Sequence, residues 1–301
     1  MNDFSISIPA SSANLGPGFD SLGLALNLYL TLHVTAADKW DIEHKSPLLP
    51  AKTPCEDHFI YQIAKQTAER HHKQLPPCKV VVTTDIPLAR GLGSSASAVI
   101  AGIELANQVC GLSLSQEEKI QYGTDIEGHP DNIAAALLGG VVITALTADN
   151  QINWIHLDDL NVDVIVYIPD FELKTEQARE VLPENLSREQ STAASAISNL
   201  VVAALLSGDY KLAGKMMEKD LFHEPYRAEL IPGYHDIKLE AKNNGAYGTV
   251  ISGAGPTMIS FAPKGEGSGI ANHMQRILTD YQVSALTIDQ EGSQVRQVHI
   301  K

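Results

Sequence analysis

Residues 86–97 read Ile86-Pro87-Leu88-Ala89-Arg90-Gly91-Leu92-Gly93-Ser94-Ser95-Ala96-Ser97. The apolar run before them, residues 79–84 (KVVVTT), predicts a strand. Behind them Val99, Ile103, Ala106 and Cys110 recur at helical spacing, with Gly111 as the stop. The stretch is therefore a strand-to-helix loop with two glycines and a serine-led helix start. Glycine lets the backbone approach an anion closely, and the first amides of a helix have no partner of their own. Serine hydroxyls at that point cap the helix or offer an oxygen to Mg2+. No lysine follows the glycines, so this is not the GxxxxGK[ST] loop, and it does not match GxGxxG. Taken alone, a phosphate cradle and a plain glycine turn with a serine cap explain it equally well.

Two further loops have the same small, polar character. Upstream lies Pro9-Ala10-Ser11-Ser12-Ala13-Asn14-Leu15-Gly16-Pro17-Gly18-Phe19-Asp20, with Asn14 and Asp20 as its strong side-chain ligands. It separates a short alternating strand, residues 4–8, from a longer one in which Leu24, Leu26, Leu28, Leu30, Leu32 and Val34 share one parity. Downstream, Ser252-Gly253-Ala254-Gly255-Pro256-Thr257 divides two apolar strands, residues 248–252 and 257–262. Each loop alone reads as a turn. Three in one chain, about 70 and 160 residues apart, point to one composite site assembled by folding.

The remainder alternates less regularly. Helical spacing covers residues 56–73, 210–219, 232–244 and 269–282, and strands are expected over 141–146, 162–168, 284–289 and 294–300. Ser115 with Glu118 and Ser187 with Gln190 have the form of capping boxes, the second opening a helix that Gly208 ends. Asp149, Asn150, Asp158, Asp159 and Asn161 mark a weak boundary, which suggests units at 1–155 and 156–301. Without regular βαβ alternation, two α+β layers are expected rather than a doubly wound sheet.

Composition narrows the function classes. The 301 residues hold 22 basic and 36 acidic side chains, a net charge of −14. Such a chain is a poor partner for nucleic acid or an anionic membrane surface. Any anion site must draw its positive field from local features. Cys55, Cys78 and Cys110 are odd in number and not in a CxxC pair, which argues against a disulfide scaffold or structural zinc and for a reducing compartment. The eleven histidines include the adjacent His71-His72 and no His-x3-His or HExxH spacing. The N-terminus lacks a signal-peptide pattern, and apolar runs such as residues 200–206 fall short of the ~20 residues of a membrane span. A cytoplasmic location is the expectation.

The motifs PASSANLGPGFDSLGLAL (residues 9–26), PLARGLGSSASA (87–98) and SGAGPT (252–257) resemble the three signature motifs of the GHMP small-molecule kinases, in order and spacing. Glu127-Gly128-His129-Pro130-Asp131-Asn132, Thr175-Glu176-Gln177-Ala178-Arg179 and Glu224-Pro225-Tyr226-Arg227 are similar to the branch of that family acting on L-homoserine. The resemblance implies an N-terminal domain of the ribosomal protein S5 domain 2-like type and a C-terminal ferredoxin-like domain, with ATP at their junction. It implies transfer of the γ-phosphoryl group to the homoserine hydroxyl in threonine biosynthesis, with ATP and Mg2+ as cofactors and a homodimer as the assembly. Residues 87–97 would wrap the triphosphate, and Ser95 and Glu127 would hold Mg2+. Arg179 and Arg227 would take the substrate carboxylate, Asp20 and Asp131 its ammonium, with Asn14, His129 and Gly253 lining the pocket. Asn132, Thr175 and Arg179 would serve the chemistry. Sister kinases carry an aspartate where Asn132 stands, and an amide is no general base at neutral pH. Asn132 is therefore expected to orient the hydroxyl while the proton leaves late. A sister activity on another small alcohol and a catalytically silent ligand sensor are the alternative readings.

Overall fold

The computed structural model describes residues 3–49, 53–157 and 160–297. The chain runs β1 (Phe4–Ala13), β2 (Leu22–Ala36), β3 (Asp41–His44), α1 (Phe59–Arg70), β4 (Cys78–Thr84), α2 (Ser94–Cys110), α3 (Gln116–Glu127), α4 (Asp131–Leu138), β5 (Val141–Leu146) and β6 (Ile152–Leu157). It continues through β7 (Val162–Pro169), α5 (Thr175–Glu180), α6 (Arg188–Ser207), α7 (Tyr210–Met217), α8 (Glu224–Arg227) and α9 (Tyr234–Asn243). The last elements are β8 (Gly248–Ile251), β9 (Met258–Pro263), α10 (Gly267–Ile277), β10 (Tyr281–Leu286) and β11 (Gln294–Gln297).

The first sheet has the order β11-β1-β2-β4-β3, with β5 on β2 and β6 on β5. β1 extends beyond the alternating residues 4–8, through the small residues of PASSA, because α2 and α4 both pack on it and leave room only for short side chains. The first half of the expected upstream loop is thus buried strand. The one-sided alternation of β2 holds at Leu30, Leu32 and Val34, whereas residues 22–26 are buried throughout. At the change, the β1 register shifts between Pro9 and Ala10. There the Asn27 N–H donates to the Thr287 carbonyl at 3.1 Å.

The second sheet has the order β10-β7-β9-β8, all antiparallel, which with α9 and α10 gives the ferredoxin-like arrangement. Alternate residues of β7 face different cores. Val162, Val164, Val166 and Ile168 join the cluster shared with the first sheet, while Ile165 and Tyr167 pack with α9 and α10 residues such as Ile237 and Met274. The expected division at 155/156 falls inside β6, and β11 returns to pair with β1. One of the two apolar cores is therefore shared by both sheets, and the other lies between the second sheet and its helices.

Both expected capping boxes are present, at Ser115 with Glu118 and Ser187 with Gln190. The strand expected over 294–300 is described to Gln297; residues 298–300, Asp158 and Asp159 lie outside the described residues. Among the described helices α6 is, by length and composition, apolar enough to cross a bilayer (mean hydropathy 1.2), more than its 200–206 run suggested. Its inward residues Val201, Ala204 and Leu205 belong to the shared core.

Candidate active site

The three loops meet. The Ser252 hydroxyl donates to the Gly91 carbonyl at 2.6 Å and lies 2.8 Å from Ser12 Oγ. The Gly253 N–H donates to Ala13 O at 3.0 Å, Ser11 N to Leu92 O at 3.1 Å, and Thr257 N to Arg90 O at 3.2 Å. Beside this junction opens a cleft of about 770 Å3. Several backbone positions around it are held in the left-handed region without being glycine: Asn14 (φ 74°), Asp20 (φ 52°) and Ala89 (φ 50°). Such conformations persist only where surrounding contacts enforce them, and they cluster at functional sites.

One wall is the start of α2. Its first-turn amides have no intrahelical acceptor, and Gly93 precedes them in a left-handed conformation. Leu88, Ala89, Gly91, Gly93, Ser94, Ser95 and Ala96 line the cleft. Four residues of the expected wrap serve elsewhere. Leu92 is core, and Ser97 Oγ is turned inward onto Pro9 O at 2.9 Å. Arg90 points away, donating to Pro169 O and Asp170 O, both at 2.9 Å, and Pro87 is not among the lining residues. Arg90 therefore staples the loop to the end of β7 instead of reaching a phosphate. Ser95 Oγ donates to Glu127 Oε1 at 2.5 Å, which places two hard oxygens together at the mouth of the α2 N-terminus. That donor set suits Mg2+, which takes one or two protein oxygens and keeps its waters.

The opposite wall carries charge of both signs. Arg179, on α5, pairs with Asp20, Nη2 to Oδ1 at 2.8 Å, across 159 residues of sequence. Arg227 is buried, donating from Nε to Ala178 O at 2.9 Å and from Nη1 to Gly253 O at 3.0 Å. Burial lowers its pKa to about 10, so it remains a cation at neutral pH. Asp131, at the start of α4, accepts from His129 Nδ1 and from the Asn132 N–H, each at 2.7 Å. Burial alone would depress His129, but the Asp131 hydrogen bond and the charges of Asp131 and Asp20 outweigh it and hold the imidazole above its ordinary 6.5. Asp20, His129 and Asp131 offer ligand atoms within 4.8 Å of one another, the spacing of a metal site. The Asp20 oxygens pair with Arg179, and Asp131 Oδ1 accepts from both His129 and the Asn132 amide. Asn14 Nδ2 donates to Gly253 O at 2.9 Å, and Asn132 Oδ1 accepts from Ser11 Oγ at 2.9 Å. Thr175 lines the same cleft at the first turn of α5.

The cleft continues beyond the α2 start into a mostly apolar lobe that includes Leu30, Leu49, Ile60, Val82, Ile86 and the His44–His58 pair. The two imidazoles meet Nε2 to Nε2 at 2.8 Å, and burial, helped by His44, pushes His58 down to about 4, so it is neutral.

Comparison with known proteins fits this geometry. Residues 58–140 match the model of the GHMP kinases N terminal domain and residues 201–279 that of the GHMP kinases C terminal. A homoserine kinase of Oceanobacillus iheyensis is 54% identical over 299 residues, 99% of this chain and 100% of that one. The chain belongs to the homoserine kinase family of GHMP kinases. A second homoserine kinase, from Bacillus velezensis, is 46% identical over 98% of this chain and 95% of its own. A crystal structure of homoserine kinase from Cytophaga hutchinsonii superimposes with a TM-score of 0.85 at 27% identity, covering 98% of each chain.

Reading the GHMP kinase motifs missed Ser11, Phe19 and His223. Ser11 is buried in β1 behind Asn132. The Phe19 ring lies 5.7 Å from the Arg179 guanidinium carbon and 5.4 Å from that of Arg227. A lone serine, phenylalanine or histidine gives no periodic signal. The apolar lobe was equally invisible, since its residues come from β2, β3, β4, α1 and two loops.

Proposed function

We propose that this GHMP kinase transfers the γ-phosphoryl group of ATP to the hydroxyl of L-homoserine, giving O-phospho-L-homoserine for threonine biosynthesis in the cytoplasm. The observation that carries the reading is a single cleft lined by an anion-receptive helix start together with two arginines, Arg179 and Arg227, and two aspartates, Asp20 and Asp131. A zwitterion with a hydroxyl arm matches the charged side chains, and a polyphosphate the helix start. Three free thiols fit a reducing compartment.

The α2 amides and the backbone of Gly91, Gly93 and Ser94 would receive the phosphates, with the base in the apolar lobe. Ser95 and Glu127 would hold Mg2+, which when bound neutralises phosphate charge as it builds in the transition state. Arg179 and Arg227 would grip the substrate carboxylate, and Asp20 and Asp131 its ammonium. With Oδ1 accepting from Ser11, Asn132 would offer Nδ2 as a donor to the hydroxyl oxygen. That leaves the hydroxyl proton turned toward the phosphoryl group. Of the five described carboxylates lining the cleft, Asp20, Glu127 and Asp131 already accept a hydrogen bond from a neighbour. The proton would therefore leave late, onto the transferred phosphoryl oxygen, which a loose transition state permits.

A coupled ADP-release assay with Mg2+ and, side by side, L-homoserine, mevalonate and galactose tests the reading. Turnover with homoserine alone is expected. Equal turnover with a substrate that lacks the ammonium, or homoserine binding without ADP release, would overturn it.

A further inference from the structure

His223, the residue before α8, takes no part in the chemistry above, yet it is completely buried against the residues that do. Its Nε2 lies 2.9 Å from the carbonyl of Gly16, in the first loop, and its Nδ1 lies 3.3 Å from Arg227 Nη1. A carbonyl can only accept and a guanidinium can only donate. The ring must therefore carry its proton on Nε2 and leave Nδ1 bare. The groups around it agree on balance. Asp220, whose Oδ2 is 3.6 Å from Nε2, and Glu224 favour the imidazolium, but burial and the Arg227 charge outweigh them and hold the ring below its ordinary value. Phe19 stacks on the imidazole with centroids 5.4 Å apart and planes at 26°.

These contacts close a circuit. Arg227 Nη1 also donates to Gly253 O, Gly253 O accepts from Asn14 Nδ2, and Asn14 Oδ1 accepts from the Asp20 N–H at 3.0 Å. Nε and Nη1 of Arg227 are thus tied to the chain. Nη2 has no hydrogen-bond partner among the described residues.

We infer that His223 is a positioning residue for substrate recognition: its bare Nδ1, fixed by the Nε2–H bond to Gly16, aims the Arg227 guanidinium at the carboxylate of the amino-acid substrate. The inference rests on the homoserine reading proposed above. Two conservative replacements separate its parts. In His223→Asn the amide oxygen can stand where Nδ1 stood and accept from Arg227. In His223→Gln the longer side chain places its amide near the Nε2 position, so Gly16 keeps a donor while Arg227 loses its acceptor.

The expected result is a homoserine KM raised about tenfold or more in His223→Gln, the loss of a hydrogen bond to a charged group. His223→Asn should recover most of that loss, with kcat and the ATP KM held in both. Equal homoserine KM values for the two variants, or an ATP KM rising in parallel, would overturn the inference. Long-range 1H–15N spectra of the wild-type protein test it without any variant. His223 is expected as neutral with the proton on Nε2, and a cationic ring or an Nδ1–H tautomer would overturn it. If the wild type did not phosphorylate homoserine, the functional reading would fall, and the spectra would still judge the tautomer.

Discussion

Replacing Gly91 by alanine tests the convergence of the three loops. Gly91 has φ +75°, and a Cβ there would sit 2.4 Å from Ser252 O, 2.7 Å from Gly255 O and 3.0 Å from Gly255 C. Neither carbonyl belongs to a flexible side chain, so the second and third loops must move apart. Gly208, which ends α6, has the same φ of +75° with nothing within 4 Å of its would-be Cβ. Gly208→Ala therefore meets the left-handed strain alone, roughly 1 kcal/mol. Gly91→Ala meets that strain plus an overpacking cost of about 1–3 kcal/mol, for a total of about 2–4 kcal/mol. The Ser252–Gly91 bond at 2.6 Å would be lost as the loops separate. Denaturant midpoints of the two variants give the difference, and the ATP KM at saturating homoserine reports whether the cradle has opened. Gly91→Ala is expected to lose more stability than Gly208→Ala and to raise the ATP KM severalfold, while Gly208→Ala leaves the ATP KM alone. If the two variants were equally stable, with the ATP KM untouched in both, the loops would not form one site.

Arg179→Ala should raise the homoserine KM about tenfold or more, through loss of a charge-assisted contact. Its stability should change by less than about 1 kcal/mol, because the pair with Asp20 is 40% and 36% exposed and solvent screens it. Ser95→Ala should lower kcat and raise the Mg2+ concentration needed for half-maximal rate; an unchanged Mg2+ titration would remove Ser95 from the metal. His129 has a folded-state pKa above 6.5, so its protonated form contributes stability that is complete below about pH 6.5 and fades as pH rises through the folded value. The melting temperature of the wild type relative to His129→Gln should accordingly be most favourable at the acidic end of that window and decline above it. A difference that grows with pH would show the sign to be wrong.

Much of this architecture is legible in the sequence. The capping boxes at Ser115 and Ser187, the run KVVVTT and the stretch following Gly93 depend on neighbours within a few residues, and each formed the element its pattern called for. Elements whose stability comes from distant partners were harder to read. β6 looked like an acidic boundary because only its pairing with β5 makes it a strand. β11 was expected as a strand, but its place beside β1, at the other end of the chain, was not. The same distinction runs through the site. The glycine-serine loop announced an anion cradle, but nothing local to Arg90 shows that its donors end on Pro169 and Asp170.

The local chemistry was thus written in the order of residues: which turns need glycine, which serines cap, which side chains carry charge, and which known kinases the chain resembles. Only the folded chain decided which of those charges meet. Arg179 beside Asp20 by itself looks like an exposed helix charge, and His223 like any core imidazole. Coulomb forces and hydrogen bonds act over a few ångströms of space, whatever the separation along the chain. Two sheets packed on a shared core bring residues 159 positions apart within 2.8 Å of each other, and no reading of neighbours could supply that distance.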